Sequence, residues 1–253
     1  MKKEAPIGVF DSGVGGLSVL KALRNELPLE SFIYLADSKN APYGNKDQGR
    51  IIELSVNNTQ FLLEKNVKMI IVACNTATGA AISRLREMFS LPFVGMEPAV
   101  KPAAMESASK KIGVLATART FEASHFNKTV NRFAGDVEVF VKVGHGLVEL
   151  IEEGETESNK TREILARYID PLLAEGIDQL VLGCTHFPFL MPLLKEMLPP
   201  GIKIHDPAPA VSKQARRLLE INNGLAREKV MAEDLFYTSG DYSILKKMAG
   251  LMS

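Results

Sequence analysis

The sequence predicts an α/β fold with mainly parallel sheets, arranged as two similar lobes that face each other across a cleft. Short apolar segments alternate with helical patterns along all 253 residues, as in parallel α/β proteins. A strand–helix pattern begins near residue 7 and starts again near residue 112. The two cysteines, Cys74 and Cys184, each end an apolar segment, one in each half of the chain. We therefore expect a pseudo-twofold internal repeat with its functional site in the cleft, because parallel sheets bind ligands at their carboxyl edges.

Composition narrows the class of protein and its compartment. Thirty basic and thirty acidic residues cancel, which predicts neither a nucleic-acid partner nor attraction to an anionic membrane. No apolar segment approaches the roughly 20 residues that span a bilayer. Residues 1–6 are too short for a signal peptide before the first strand. We therefore expect a cytoplasmic protein whose two thiols are reduced and form no disulfide.

The first half of the chain reads as one complete α/β unit. Predicted strands cover 7–10, 32–36, 70–73 and 92–96, and predicted helices cover 17–27, 47–65 and 77–89. Pro28 ends the first helix and Asp47 can cap the second. The polar segment 38–45 is long enough to be a binding loop.

The second half repeats the first and then continues. Ile112-Gly-Val repeats Ile7-Gly-Val 105 positions later, and a strand at 137–141 follows the strand at 32–36 by the same offset. Cys184 follows Cys74 by 110 positions. Further strands are expected at 180–183, 202–205 and 235–238, and helices at 99–108, 187–198, 208–222 and 241–251. A mainly helical stretch is expected from about residue 147 through 162–173. The predicted lobes are residues 1–98 with 207–253, and residues 99–206.

The glycine-rich turn at residues 11–16 resembles a nucleotide-binding loop only in part. Ser18 stands where a dinucleotide fingerprint has its third glycine, and no Gly-Lys-Ser/Thr of a P-loop follows. Asp11 would place a carboxylate where a pyrophosphate must bind. We instead expect a tight turn that opens a helix and leaves its amide groups free to hold a ligand carboxylate.

Two cysteines at matching strand ends indicate chemistry rather than packing. Each is followed by polar groups, and a strand end leading into a helix is expected to lower a thiol pKa. A zinc site from both thiols and His186 lacks the usual chelating spacing, so no metal is predicted. No Cys-x-x-Cys redox motif is present, and a cysteine hydrolase would leave one thiol unexplained. Two opposed thiols suit inversion of a carbon centre, in which one group removes a proton and the other delivers one to the opposite face.

Four motifs carry a resemblance to a known family. They are Phe10–Gly16 (FDSGVGG), Pro42–Gly44 (PYG), Ala73–Ala77 (ACNTA) and Gly183–Pro188 (GCTHFP). With these motifs the whole chain resembles the glutamate racemases of the aspartate/glutamate racemase superfamily. The resemblance implies cofactor-independent interconversion of L- and D-glutamate, which supplies D-glutamate for bacterial peptidoglycan.

The resemblance also implies residue roles. Cys74 would take the α-proton from D-glutamate with the help of Asp11. Cys184 would take it from L-glutamate, with the help of His186 and Glu152. The implied substrate-binding residues are Asp11, Ser12, Pro42, Tyr43, Gly44, Asn75, Thr76, Thr117, Thr120, Thr185 and His186. Their polar groups suit glutamate, whose three charges must be paired on burial.

The sequence leaves several points open. Many family members carry Cys-Pro before the segment of Glu152, where this chain has Val143–Gly146, so Glu149 or Glu153 could take the same role. The resemblance implies a homodimer, and the short N-terminus is not expected to bind the cell-wall precursor that activates some relatives. Racemisation of aspartate or another amino acid is an alternative activity. A two-lobed protein that binds a small acidic ligand without chemistry is an alternative of another class.

Overall fold

Two parallel β-sheets organise the chain in a computed structural model that describes residues 2–122, 130–133, 135–229 and 233–251. The first sheet has five strands and the second has four. Every strand pairing within them is parallel. The predicted α/β class with two lobes is thereby confirmed. Among the described residues, no helix is long and apolar enough to cross a membrane.

The first sheet contains the N-terminal strands and one strand from the end of the chain. Its strands are β1 (Ile7–Asp11), β2 (Phe32–Ala36), β3 (Met69–Val72), β4 (Phe93–Gly95) and β9 (Leu235–Thr238), in the order β4-β3-β1-β2-β9. Residues of β1, β2 and β3 are buried throughout, as expected for apolar strands covered on both faces. Helices α1 (Leu17–Glu26), α2 (Gln48–Glu64) and α3 (Asn75–Met88) connect them.

The second sheet repeats the order of the first. Its strands are β5 (Lys111–Ala116), β6 (Glu138–Val143), β7 (Gln179–Gly183) and β8 (Lys203–His205), in the order β6-β5-β7-β8. The associated helices are α4 (Val100–Glu106), α5 (Ala118–Glu122), α6 (Leu147–Glu152), α7 (Asn159–Ala174) and α8 (Met191–Met197). The predicted single helix at 187–198 begins as a 3-10 turn, Phe187–Leu190, before α8. Pro188 and Pro192 explain the break, because proline fits the first turn of a helix but not its interior.

Strand register makes the internal repeat explicit. Gly8 pairs with Ile70, and Gly113 pairs with Leu180. Cys74 and Cys184 each lie four residues beyond these partners, so they occupy equivalent positions. The expected offset of 105 for the other strand pair is wrong. Ile7 pairs with Phe32 and Ile112 with Val139, an offset of 107 that accommodates a longer connection in the second lobe.

The C-terminal segment returns to the first sheet. Helices α9 (Ala208–Ile221) and α10 (Tyr242–Leu251) flank β9, which pairs with β2. Asp234 anchors this strand, because its carboxylate accepts hydrogen bonds from Arg24 Nε at 2.7 Å and from the Phe32 amide at 3.0 Å. Deeper in the same lobe, the buried Lys68 ammonium pairs with Glu30 and donates to the Gly224 carbonyl. The lobe boundaries predicted at residues 98 and 206 stay a prediction.

Candidate active site

A narrow cavity lies where the carboxyl ends of the two sheets face each other. Its lining contains eleven predicted site residues and Val148, and its volume is only about 10 Å³. The predicted residues that line it are Ser12, Pro42, Tyr43, Gly44, Cys74, Asn75, Thr76, Thr117, Cys184, Thr185 and His186. The other three, Asp11, Thr120 and Glu152, contact members of this lining through hydrogen bonds described below. The sheet topology thus brings the whole predicted set together.

Cys74 joins strand β3 to helix α3. Its Sγ accepts a hydrogen bond from the Ala77 amide at 3.4 Å and lies 3.7 Å from Ser12 Oγ. The expectation that this pKa is lowered overall is wrong, although the Ala77 amide at the helix N-terminus does act in that direction. Burial raises the pKa of the Cys74 thiol well above its usual value, and the neighbouring Asp11 carboxylate raises it further. Cys74 is therefore a protonated thiol at neutral pH.

Asp11 is fully buried at the end of strand β1. Its Oδ2 accepts the Gly16 amide at 2.8 Å, and its Oδ1 lies 3.5 Å from the hydroxyls of Ser12 and Thr185. Burial raises the pKa of Asp11 above its ordinary value, although the His186 charge and the amide bond oppose that shift. The carboxyl group thus stands between the two halves of the site.

Cys184 has a cationic partner that Cys74 lacks. Its Sγ lies 3.7 Å from His186 Nδ1, and His186 Nε2 lies 2.6 Å from Glu152 Oε1. Burial alone would lower the pKa of His186, but its hydrogen bonds to Cys184 and Glu152 raise it well above the usual value. The pKa of Glu152 is lowered despite its burial, mainly by its hydrogen bond to His186. A carboxylate and an imidazolium therefore stand behind this thiol at neutral pH.

Glu152 at the end of helix α6 reaches across to the first lobe. Its Oε1 accepts the Val14 amide at 2.6 Å, and its Oε2 accepts Ser38 Oγ at 2.9 Å. Of the three glutamates that the sequence left open, Glu152 is the one that contacts His186, and its supporting role stays a prediction.

The glycine-rich turn holds carboxylates of the protein itself. The expectation that its amides are free for a ligand is wrong, since Val14 binds Glu152 and Gly16 binds Asp11. A Cβ on Gly13 would lie 1.9 Å from Glu152 Oε1, and one on Gly15 would lie 2.3 Å from His186 Nδ1. The glycines therefore make room for two side chains of the second lobe.

Similarity to known proteins shows the family of the chain. The sequence profile of the Asp/Glu/Hydantoin racemase family matches residues 17–215. A glutamate racemase of Ectopseudomonas mendocina is 47% identical over 252 residues, which cover 99% of this chain and 95% of that protein. The chain belongs to the glutamate racemases of this family. It is therefore an amino-acid racemase, as the four motifs predicted.

Solved structures of relatives agree with this assignment. The Escherichia coli glutamate racemase, solved with L-glutamate and the activator UDP-MurNAc-ala, has a TM-score of 0.87 at 32% identity over 98% of this chain and 94% of that one. The Francisella tularensis glutamate racemase, solved with D-glutamate, has a TM-score of 0.84 at 29% identity over 99% and 94% of the two chains.

Asn75 is the one cavity residue of the racemase that ends in unused polar atoms. Within the described residues, its Oδ1 and Nδ2 are both buried without a hydrogen-bond partner. A buried amide in this state costs free energy until something pairs with it. Asn75 begins helix α3 directly after Cys74, so its amide is available to a ligand beside that thiol.

Tyr43 lines the cavity of the racemase, but its hydroxyl is bonded to residues outside that lining. The hydroxyl donates to Asp37 Oδ2 at 2.6 Å and accepts from Asn58 Nδ2 at 3.1 Å. Sequence reasoning missed Asp37 and Asn58, although Asp37 directly follows strand β2 and so occupies a strand-end position like that of Asp11. The network holds the loop that carries Gly44 against Thr117 of the second lobe.

Three threonines join the lobes on the other side of the cavity. Thr76 Oγ1 lies 3.0 Å from Thr117 Oγ1 and 3.4 Å from Thr120 Oγ1. Thr117 and Thr120 are 2.9 Å apart. Two members of this cluster, Thr76 and Thr117, line the cavity that both thiols also line. In the described part of the chain, no three His, Cys, Asp or Glu side chains are grouped as metal ligands.

Proposed function

We propose that this racemase interconverts L- and D-glutamate by α-proton transfer between Cys74 and Cys184, without a cofactor. The observation that carries the proposal is that both free thiols line one cavity from equivalent ends of two repeated sheets. Groups in such positions can reach opposite faces of one bound carbon. In the L-to-D direction, the Cys184 thiolate takes the α-proton and the Cys74 thiol delivers its own proton to the other face. The reverse direction exchanges these roles.

The surroundings of each thiol support this assignment of faces. Cys74 is kept protonated by burial and by Asp11, so it is ready to donate. The His186 imidazolium lies 3.7 Å from Cys184 Sγ, where a cation can pair with the negative charge that proton transfer at this thiol requires. This arrangement supports proton removal from L-glutamate at Cys184 and proton delivery from Cys74 in the L-to-D direction. Asp11 would then act on the Cys74 side, and His186 with Glu152 on the Cys184 side.

Substrate binding is proposed for the polar lining of the cavity. The unpaired amide of Asn75 and the hydroxyls of Ser12, Thr76, Thr117 and Thr185 suit the carboxylates and ammonium of glutamate. Thr120 would support them through the threonine cluster, while Pro42, Tyr43 and Gly44 would contribute the ring and backbone of their loop. The cavity volume of about 10 Å³ gives room for about one water molecule, so its lining must move apart to admit glutamate.

Exchange of the α-proton tests reaction, substrate and residue roles together. In D₂O, the wild-type racemase is expected to place deuterium at the α-carbon of each glutamate enantiomer while racemising it. Cys74→Ser and Cys184→Ser should each lose racemisation by several orders of magnitude. Full racemisation by either variant would overturn the two-thiol mechanism. Binding of glutamate without exchange would favour the non-catalytic binder, and faster turnover of aspartate would favour the alternative substrate.

We also propose that the D-glutamate serves peptidoglycan synthesis and that a cytoplasmic homodimer makes it. The likeness to bacterial glutamate racemases over nearly the whole chain supports this role. Depletion of the protein in its host should stop growth unless D-glutamate is supplied. Light scattering during size-exclusion chromatography should give twice the 27.7 kDa mass of one chain. A single-chain mass would refute the dimer and leave the reaction untouched.

A further inference from the structure

Ser38 lies outside the cavity lining and contacts the machinery behind Cys184. It begins the 3-10 turn Ser38–Asn40, directly after strand β2 and Asp37 of the first lobe. Its Oγ donates a hydrogen bond of 2.9 Å to Glu152 Oε2, which belongs to the second lobe. Ser38 is half-buried and has no hydrogen-bonding role in the substrate lining described above.

The bond from Ser38 fixes the orientation of the Glu152 carboxylate. Glu152 Oε1 already binds the Val14 amide and His186 Nε2, both at 2.6 Å. A carboxylate held only at Oε1 can rotate about its terminal bond and lose alignment with the imidazole. Ser38 holds the second oxygen and so prevents that rotation. Since His186 Nδ1 lies 3.7 Å from Cys184 Sγ, the orientation of the imidazole is set relative to the thiol.

The turn that carries Ser38 is itself held in place. Ser239 Oγ donates to Asp37 Oδ1 at 2.8 Å and accepts the Lys39 amide at 3.1 Å. These contacts connect both neighbours of Ser38 to the segment that follows strand β9. The serine hydroxyl is therefore presented to the second lobe by a fixed turn.

We propose that Ser38 is a positioning residue that acts through Glu152 and His186 on proton transfer at Cys184. The inference rests on the proposed two-thiol function. The support of Cys184 then depends on contact between the lobes, because the Ser38 hydroxyl and the Glu152 carboxylate belong to different lobes. The two hydrogen-bond partners of Cys74, Ser12 and the Ala77 amide, both belong to the first lobe. Loss of the Ser38 hydroxyl therefore weakens one of the two proton transfers.

Kinetic isotope effects distinguish this role from a general structural one. The two enantiomers have equal free energy in water, so kcat/KM is equal in both directions for every variant. Raising the barrier at Cys184 makes cleavage of the α-bond of L-glutamate more rate-limiting. The primary isotope effect on kcat/KM should then rise with L-[2-²H]glutamate and fall with D-[2-²H]glutamate. A variant that merely loosens the fold leaves the ratio of the two isotope effects unchanged.

The central variant is Ser38→Ala, with Ser38→Thr as the variant that keeps a hydroxyl. Ser38→Ala should lower kcat/KM about tenfold, the expected effect of losing one hydrogen bond to a charged group, and should shift the isotope effects as described. Ser38→Thr should restore both. Ser55→Ala is the matched control, because it removes a buried hydroxyl of the same lobe that donates to the Ile51 carbonyl of its own helix, and it leaves the Ser38–Glu152 bond in place. Any loss it causes should leave the isotope ratio at its wild-type value.

Several outcomes would overturn the inference. They are wild-type kcat/KM in Ser38→Ala, a loss with an unchanged isotope ratio in Ser38→Ala, or the same change of ratio in Ser55→Ala. If Ser38→Ala folds poorly, Glu152→Gln provides the second comparison. The Ser38→Thr ratio should then equal that of the wild type, and the Glu152→Gln ratio should shift in the direction given above; failure of either refutes the role. Full activity in Cys184→Ser would instead refute the two-thiol function, so the two failures are distinguishable.

Discussion

Gly13→Ala is expected to inactivate the racemase by displacing a side chain of the other lobe. The new methyl group would lie 1.9 Å from Glu152 Oε1, where no two such atoms fit. The backbone of Gly13 lies outside the left-handed region, so alanine is compatible with its conformation. Glu152 has a side chain that is only 15% exposed and is bonded at both oxygens. The substitution therefore acts through the carboxylate rather than through the turn.

The size of the effect follows from the bonds that Oε1 makes. Displacing this oxygen breaks its hydrogen bonds to the Val14 amide and to His186. Each involves a charged group and contributes about 1.5–3 kcal/mol. Because the two share one oxygen, we take a joint loss of about 3 kcal/mol, which corresponds to roughly a 100-fold fall in kcat/KM.

A double-mutant cycle measures whether Glu152 carries the effect. The assay is the initial rate of change in optical rotation with either glutamate enantiomer, for Gly13→Ala, Glu152→Ala and the double variant. Glu152→Ala removes the atom that the methyl group would strike. In that background, Gly13→Ala should change kcat/KM by less than about threefold, which gives a coupling free energy of more than about 2 kcal/mol. A second 100-fold loss in the double variant would refute the reasoning.

Three further variants test other parts of the structure. Asn75→Ala removes two unpaired buried polar atoms, so it should stabilise the ligand-free protein by about 1 kcal/mol while KM for glutamate rises; melting curves with and without glutamate check both. The pKa of Asp11 is raised in the folded protein. Well below the usual value of 3.8, Asp11 is protonated in both the folded and the unfolded chain, so it costs no folding free energy. The cost appears as the pH rises through the folded pKa. The melting temperature of Asp11→Asn should therefore exceed that of the wild type by more at about pH 7 than at about pH 4, although the variant is less active. An equal difference in melting temperature at both pH values would contradict the raised pKa of Asp11. Lys68→Met leaves Glu30 buried without its cation and should cost about 3–5 kcal/mol in urea denaturation, most of it regained when Glu30→Met is added.

The sequence contained enough information for the architecture and for the cavity lining. Apolar strands ending in polar residues lie at the carboxyl edge of a parallel sheet, so Ser12, Cys74 and Cys184 converge without knowledge of any contact. This convergence of strand ends needs only the order of the elements. Thr117 follows strand β5 as Ser12 follows strand β1, but the expected roles of both residues came from the family resemblance.

The contacts behind the lining could not be predicted from the sequence. Glu152 meets Val14 and Ser38 across more than a hundred residues, and no local pattern records such a distance. The pKa of Cys74 was misjudged because burial and the charge of Asp11 outweigh the helix N-terminus. The glycines of the turn were assigned to a ligand, since a sequence does not show which carboxylate approaches an amide.

The return of strand β9 to the first sheet has a consequence for biosynthesis. Residues 234–239 pair with β2, bind Arg24 and hold Asp37, all of which are translated some 200 residues earlier. A chain emerging from the ribosome can build the second sheet while the first still lacks its edge strand. The loop of Tyr43 thus acquires its final support only after residue 239 has been added. The nascent polypeptide therefore has an incomplete active-site cleft until that point, even if the second sheet has already folded.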